Sequence, residues 1–106
     1  MIDKKIYQLH AEVCKALGHS IRIEIIDLLG ENEMGFSEIG EKTGVAKSSL
    51  SQHLSVMVEK GILVQRRKGL NSYFQLSTYK VADACRLMRE VLIEKLQESN
   101  EILKNL

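Results

Sequence analysis

The chain has 106 residues, 44% hydrophobic and 27% charged, with a formal net charge of +1. That balance fits one ordinary globular domain and excludes a disordered or generally cationic protein. No apolar run is long enough to span a bilayer and no leader pattern is visible, while two cysteines seventy-one positions apart form no disulfide framework. A reducing cytoplasm is the expected compartment.

Proline is absent, and glycines punctuate the chain instead. Gly18, Gly30, Gly44 and Gly61 each follow an apolar-periodic segment, which predicts four short helices in succession. The first runs from about Lys4 to Leu17 with Ile6, Leu9, Val13 and Leu17 inward. The second starts at Ser20 as its N-cap and sends Ile23, Ile25, Ile26, Leu28 and Leu29 to the core. The third, Phe36 to Thr43, is joined to the fourth through Gly44, a residue free to take unusual dihedrals.

The fourth helix has two unlike faces. Val45, Leu50, Leu54, Met57 and Val58 recur at helical spacing and form an apolar side. The other side presents Lys47, Ser48, Ser51, Gln52 and Ser55, side chains short or hydrogen-bonding enough to let a helix sit deep in a major groove. After Gly61, Ile62 to Arg66 and Ser72 to Leu76 read as two strands around a turn holding Lys68, Gly69 and Asn71. Arg66, Arg67 and Lys68 gather near that turn, where cations suit phosphates. From Lys47 to Asn71 there are five cations and one carboxylate, a local +4 that leaves about −3 for the rest of the chain. One basic surface is therefore expected rather than a uniformly sticky protein. A three-residue basic run standing alone is more often a solvated loop; its place behind the serine-rich helix makes it informative.

Ser77 or Thr78 can cap a last helix reaching toward Leu103, with Val81, Cys85, Met88, Leu92, Leu96 and Leu103 on one stripe. At about 1.5 Å per residue such a helix outruns a body this small, so the stripe is expected to pack on a second subunit, with the first helix joining. The expected fold is mainly α with a β-hairpin wing: a winged helix-turn-helix of five helices, dimeric through the first and last. One domain spans residues 1–106, with dimerisation helices at about 4–17 and 78–104 and a DNA-binding unit at about 36–76. A two-fold dimer sets its recognition helices about 34 Å apart and predicts a double-stranded operator with dyad symmetry.

Almost the whole chain resembles the ArsR/SmtB family of winged-helix repressors, from VCKALGHSIRIEIIDLL through SSLSQHLSVMVEKGILVQRRKG to SYFQL. The resemblance implies a homodimeric repressor whose hold on operator DNA is weakened by an inducer. It carries a DNA-reading role to Lys47, Ser48, Ser49, Ser51, Gln52 and His53, with Arg66, Arg67 and Lys68 as the wing. For His53, packing against the helix-turn-helix core is an equal alternative to base contact. Ser20 stands where the family often has proline. Ala46 stands where a capping serine is common, which weakens the start of the fourth helix by about 1 kcal/mol.

The departures concern sensing. The metal-sensing branch opens its third helix with Glu-Leu-Cys-Val-Cys-Asp-Leu, and the matching residues here are Glu33, Met34, Gly35, Phe36, Ser37, Glu38 and Ile39, with both cysteines lost. The positions of the family's other metal site, Asp-x-His and His-x-x-Glu, fall on Thr78, Lys80, Val91 and Glu94. One ligand in four holds no zinc, so neither familiar metal site is expected, and no cofactor. Cys14 and Cys85 remain, on the two helices assigned to the dimer, as candidate inducer-sensing residues. Three readings stay open: buried small hydrophobes, a redox or reactive-sulfur switch of the kind some family members use at other positions, or, with His10, a site for a soft metal or metalloid.

Two other function classes fit the residues less well. An enzyme has no support from a phosphate loop, an HExxH or a nucleophile elbow. A winged helix devoted to protein partners rather than DNA does not require the basic wing.

Overall fold

Asp3 opens the first element: its carboxylate accepts from the Lys5 amide at 2.9 Å. The structure, a computed structural model, describes residues 3–105, so Met1, Ile2 and Leu106, the ends of the expected 1–106 domain, lie outside the described residues. In chain order the elements are α1 (Lys4–Leu17), α2 (Ser20–Leu29), β1 (Met34–Gly35), α3 (Phe36–Thr43), α4 (Lys47–Glu59), β2 (Leu63–Lys68), β3 (Asn71–Leu76) and α5 (Lys80–Lys104). This is a winged helix-turn-helix of five helices.

The core gathers Ile25, Ile26 and Leu29 of α2, Ile39 of α3, Leu50, Leu54 and Met57 of α4, and Ile62, Leu63, Phe74 and Leu76 around the wing. Several expectations for the helices need correction. His19, not Ser20, caps α2, its Nδ1 accepting from the Ile21 amide at 3.3 Å where a serine hydroxyl was expected to serve. Ile23 falls off the Ile25–Ile26–Leu29 stripe and is exposed. In α1 only the C-terminal half meets the core, through Ala16, Val13 and Leu17, while Ile6 and Leu9 are exposed rather than inward. Gly18 ends α1 at φ −77°, its amide donating to the Lys15 carbonyl.

Between α3 and α4 the chain reverses at Gly44, whose φ of 71° and ψ of 12° are left-handed values that a β-carbon disfavours. Its amide donates to the Gly40 carbonyl at 2.9 Å and closes α3. Ala46 then starts α4 with no side-chain cap, as its methyl group requires.

The wing is longer than the sequence implied. Strands β2 and β3 pair antiparallel from Leu63↔Leu76 to Lys68↔Asn71, so Lys68 and Asn71 belong to the ladder and the turn is Gly69–Leu70 alone. Gly69 has φ 62° and Leu70 is not among the positive-φ residues, the pattern of a type II′ hairpin turn. The unforeseen β1 adds a third strand in the order β1-β3-β2, with Met34↔Phe74 and Gly35↔Tyr73 opposed.

Thr78 Oγ1 accepts from the Lys80 amide at 3.4 Å at the start of α5, whereas Ser77 donates its hydroxyl to the Gly61 carbonyl at 2.6 Å and ties helix α4 to the wing. The 25 residues of α5 rise about 38 Å. Its first turns pack on the core through Val81, Ala82 and Cys85, and Arg89 reaches Asp27 of α2 at 3.2 Å. From Met88 onward the stripe is uncovered, with Met88, Leu92, Leu96 and Leu103 exposed. Among the described residues no helix is long and apolar enough to cross a membrane.

Candidate nucleic-acid interface

The amphipathic division of α4 is realised. Leu50, Leu54 and Met57 are buried, and Lys47, Ser48, Ser49, Ser51, Gln52 and Ser55 are exposed. Across from this strip stands the wing, and an open cleft of about 630 Å³ separates them, lined among others by Ser51 and Ser55 of α4, Phe36 and Ser37 of α3, and Gln65 and Arg67 of β2. The strand pleat decides which wing cation belongs to this cleft. Leu63, Gln65 and Arg67 alternate onto the face that packs toward the helices, and Val64, Arg66 and Lys68 onto the other. Arg67 therefore shares the cleft with the exposed strip of α4, while Arg66 points to the back of the sheet.

Two of the five cations counted in this region are engaged. Arg66 donates to Glu33 twice, Nε to Oε2 at 3.1 Å and Nη2 to Oε1 at 2.7 Å, and its guanidinium lies 4.9 Å from the centre of the Tyr73 ring. Lys60 sits 3.8 Å from Glu12 of α1. Among the described residues Lys47, Arg67 and Lys68 form no ion pair within the 4.0 Å that defines the others, so they are the exposed charges open to an incoming anion.

His53 is half-buried and turned away from the serine strip. Its Nδ1 accepts from Arg22 Nε at 3.1 Å, which places the ring proton on Nε2 and leaves the imidazole neutral. The His19 ring meets it edge-on, centroids 4.4 Å apart. Burial first, then the neighbouring His19 and Arg22 charges, hold His53 below the ordinary histidine pKa. Arg22 also donates Nη1 to the Ala16 carbonyl at 3.1 Å, so one guanidinium joins the end of α1 to the recognition helix. Sequence reasoning missed Arg22 and Glu33, since each acts across 31 to 33 residues of chain and neither lies on an apolar period.

The candidate sensors are separated in character. Both cysteines are free thiols, Cys14 exposed on α1 and Cys85 half-buried on α5. Burial raises the Cys85 thiol above its ordinary pKa, outweighing the opposite pull of Arg89. Among the described residues no group of three or more His, Cys, Asp or Glu side chains is arranged to hold a metal, so His10, Cys14 and Cys85 do not come together within one subunit.

Residues 19–64 match the model of the arsR family of bacterial regulatory proteins. The HTH-type transcriptional regulator Rv0081 of Mycobacterium tuberculosis is 31% identical over 107 residues, an alignment that takes in all of this chain and 94% of the relative. The chain belongs to the ArsR family. The transcriptional repressor SdpR of Bacillus subtilis is 32% identical over 72% of this ArsR protein and 84% of its own length. Among solved structures, Rv0081 superimposes with a TM-score of 0.80 at 32% identity over 89% of this chain and 95% of that one. The homodimeric winged helix-turn-helix domain of Mb0332 from Mycobacterium bovis gives 0.76 at 29% identity, covering 89% of each. The family is one of DNA-binding transcriptional regulators, and the matched residues take in α2, β1, α3, Gly44, α4 and the start of β2.

Proposed function

We propose that this ArsR protein is a cytoplasmic homodimeric repressor that binds an operator of dyad symmetry and leaves it when an inducer acts. The observation carrying this reading is the cleft that sets Arg67 of the wing against Ser51 and Ser55 of α4, on the helix whose Ser48 and Gln52 are also exposed. One side offers hydrogen-bonding groups to base edges and the other a cation to phosphate. Lys47 and Lys68 join Arg67 at the backbone, Ser49 stands on the flank of the reading face, and His53 steadies α4 through Arg22 rather than meeting a base.

Repression is supported by SdpR and by the biofilm growth-associated repressor of Xylella fastidiosa, 32% identical over 68% of this chain. The homodimer of Mb0332 and the unpartnered apolar residues on α1 and α5 support the dimer. For the inducer, the thiols on these same two helices favour oxidising or sulfur-donating chemistry. Cys14 is exposed and Cys85 half-buried, which makes Cys14 the more accessible of the two to such a reagent.

The test is affinity for duplex DNA from the gene's own upstream region, measured across salt concentrations and before and after a persulfide donor. Arg67→Ala should weaken all sequences alike by losing a phosphate contact, and Gln52→Ala should also relax base preference. Treatment should release the DNA and reductant restore it. Salt-indifferent behaviour would point instead to a protein-interaction module. Binding unaffected by the donor would return both cysteines to a packing role.

A further inference from the structure

Arg66 stands in the middle of the basic run, yet its surroundings differ from those of Arg67 and Lys68. Tyr73 lies on the central strand of the sheet, opposite Arg66 on β2 and opposite Gly35 on β1. A β-carbon on Gly35 would meet the Tyr73 ring at 3.5 Å, so the ring lies over that glycine. The Arg66 guanidinium passes over the same ring and ends on Glu33, two residues before Gly35 along the chain, with two hydrogen bonds of 2.7 and 3.1 Å. One side chain thus spans the sheet from its β2 edge to its β1 edge. β1 leads directly into α3, the first helix of the DNA-binding unit, and β2 carries Arg67.

We propose that Glu33 and Arg66, closed over Tyr73, form a clamp that fixes the angle of the wing against the helix-turn-helix, making Arg66 a positioning residue for DNA binding rather than a phosphate contact. This role rests on the DNA-binding function proposed above. A planar guanidinium is suited to it, because it grips a carboxylate in a two-pronged geometry and stacks on an aromatic face at once, which a lysine does not. Paired on the back of the sheet, the Glu33 and Arg66 charges compensate each other locally, so the clamp adds no net charge to the wing. The Arg66 hydrogen bonds hold the Glu33 carboxyl below its ordinary value.

The two roles for Arg66 predict opposite signs for one substitution. Glu33→Gln removes the carboxylate that holds Arg66. If Arg66 were a phosphate ligand restrained by Glu33, the change would tighten binding; if Arg66 is a positioning residue, it loosens the wing and weakens binding, by about threefold or more for a pair at this exposure. The experiment measures affinity for a fluorescein-labelled duplex of the gene's upstream region over a salt series, using the full-length protein. Arg66→Ala is expected to weaken binding with the salt slope unchanged, Arg67→Ala to reduce the slope by about 0.9 per subunit, and the exchanged pair Glu33→Arg with Arg66→Glu to bind better than either single variant. An Arg66 side-chain NMR resonance, shifted by the Tyr73 ring, should stay shifted in the DNA complex.

Tighter binding by Glu33→Gln, a slope loss for Arg66→Ala equal to that for Arg67→Ala, an exchanged pair no better than its singles, or an Arg66 resonance that leaves the ring on DNA addition would each overturn the clamp. A wild-type protein lacking salt-dependent duplex binding would instead overturn the DNA-binding function, and the clamp's role with it.

Discussion

Leu92 is 57% exposed although it lies on the apolar stripe of a helix whose earlier turns are packed on the core. If a second subunit covers it, Leu92→Ala removes three carbons at about 0.8 kcal/mol each. Scaling by the 57% that the partner can still bury gives about 1.4 kcal/mol per copy. A two-fold interface contains the residue twice, so the dimer loses about 2.7 kcal/mol, or roughly 100-fold in its dissociation constant. Leu92→Asp should dissociate the dimer more completely, because it places two carboxylates where the stripe was apolar. Sedimentation velocity over a concentration series reads the shift directly, and circular dichroism at each concentration reports whether the monomer keeps its helices. A wild-type protein that sediments as a monomer, or a Leu92→Asp variant with an unchanged dimer constant, would refute the assignment of α5 to the interface.

His53 is held below its ordinary pKa of 6.5, so the unfolded chain takes up a proton that the native state resists. The stability it supports is present above about pH 6.5 and is lost as pH falls through the folded value; thermal melts from pH 7.5 to 5.5 should show it, and His53→Gln, which keeps an acceptor for Arg22 but does not titrate, should flatten the difference. At Gly44 an added methyl meets nothing within 4 Å, so Gly44→Ala isolates the cost of a left-handed φ of 71°. That cost is about 1–2 kcal/mol, a drop of roughly 5–10 °C in Tm at fixed protein concentration. An unchanged Tm would mean that the turn tolerates a different backbone.

The parts of this fold legible in the sequence are those written locally. The bounds of α3 follow from Gly44 and an apolar period, and the two faces of α4 from residues three and four apart. The wing announced itself through β-branched and aromatic runs around a glycine. What escaped depends on partners distant in sequence. Two residues of β1 cannot show an alternation, and their strand exists only because β3 offers an edge beside them. The Ser20 hydroxyl and the His19 imidazole can both cap a helix, and propensity favoured the serine; the geometry places the histidine there. Ile23 belongs by type to the core and by angle to the surface. His53 reads as a candidate base contact from its place in α4, until Arg22 is seen to reach it from the second helix.

The same distinction changes the electrostatics of DNA binding by a measurable amount. Counting residues between Lys47 and Asn71 yields five cations per subunit, ten per dimer. With Arg66 on Glu33 and Lys60 beside Glu12, three remain per subunit: Lys47, Arg67 and Lys68. At about 0.9 per phosphate neutralised, the slope of log affinity against log salt should lie near −5.4 for six contacts and near −9 for ten. Between 50 and 200 mM salt that separates a loss of about 10³-fold from one of about 10⁵-fold, far outside the error of a titration. A slope near −9 would show that DNA breaks both ion pairs and recruits their cations. A slope near −5 would show that the local pairs survive contact with the duplex, so that affinity is set by the cations the fold leaves free rather than by the number the sequence contains.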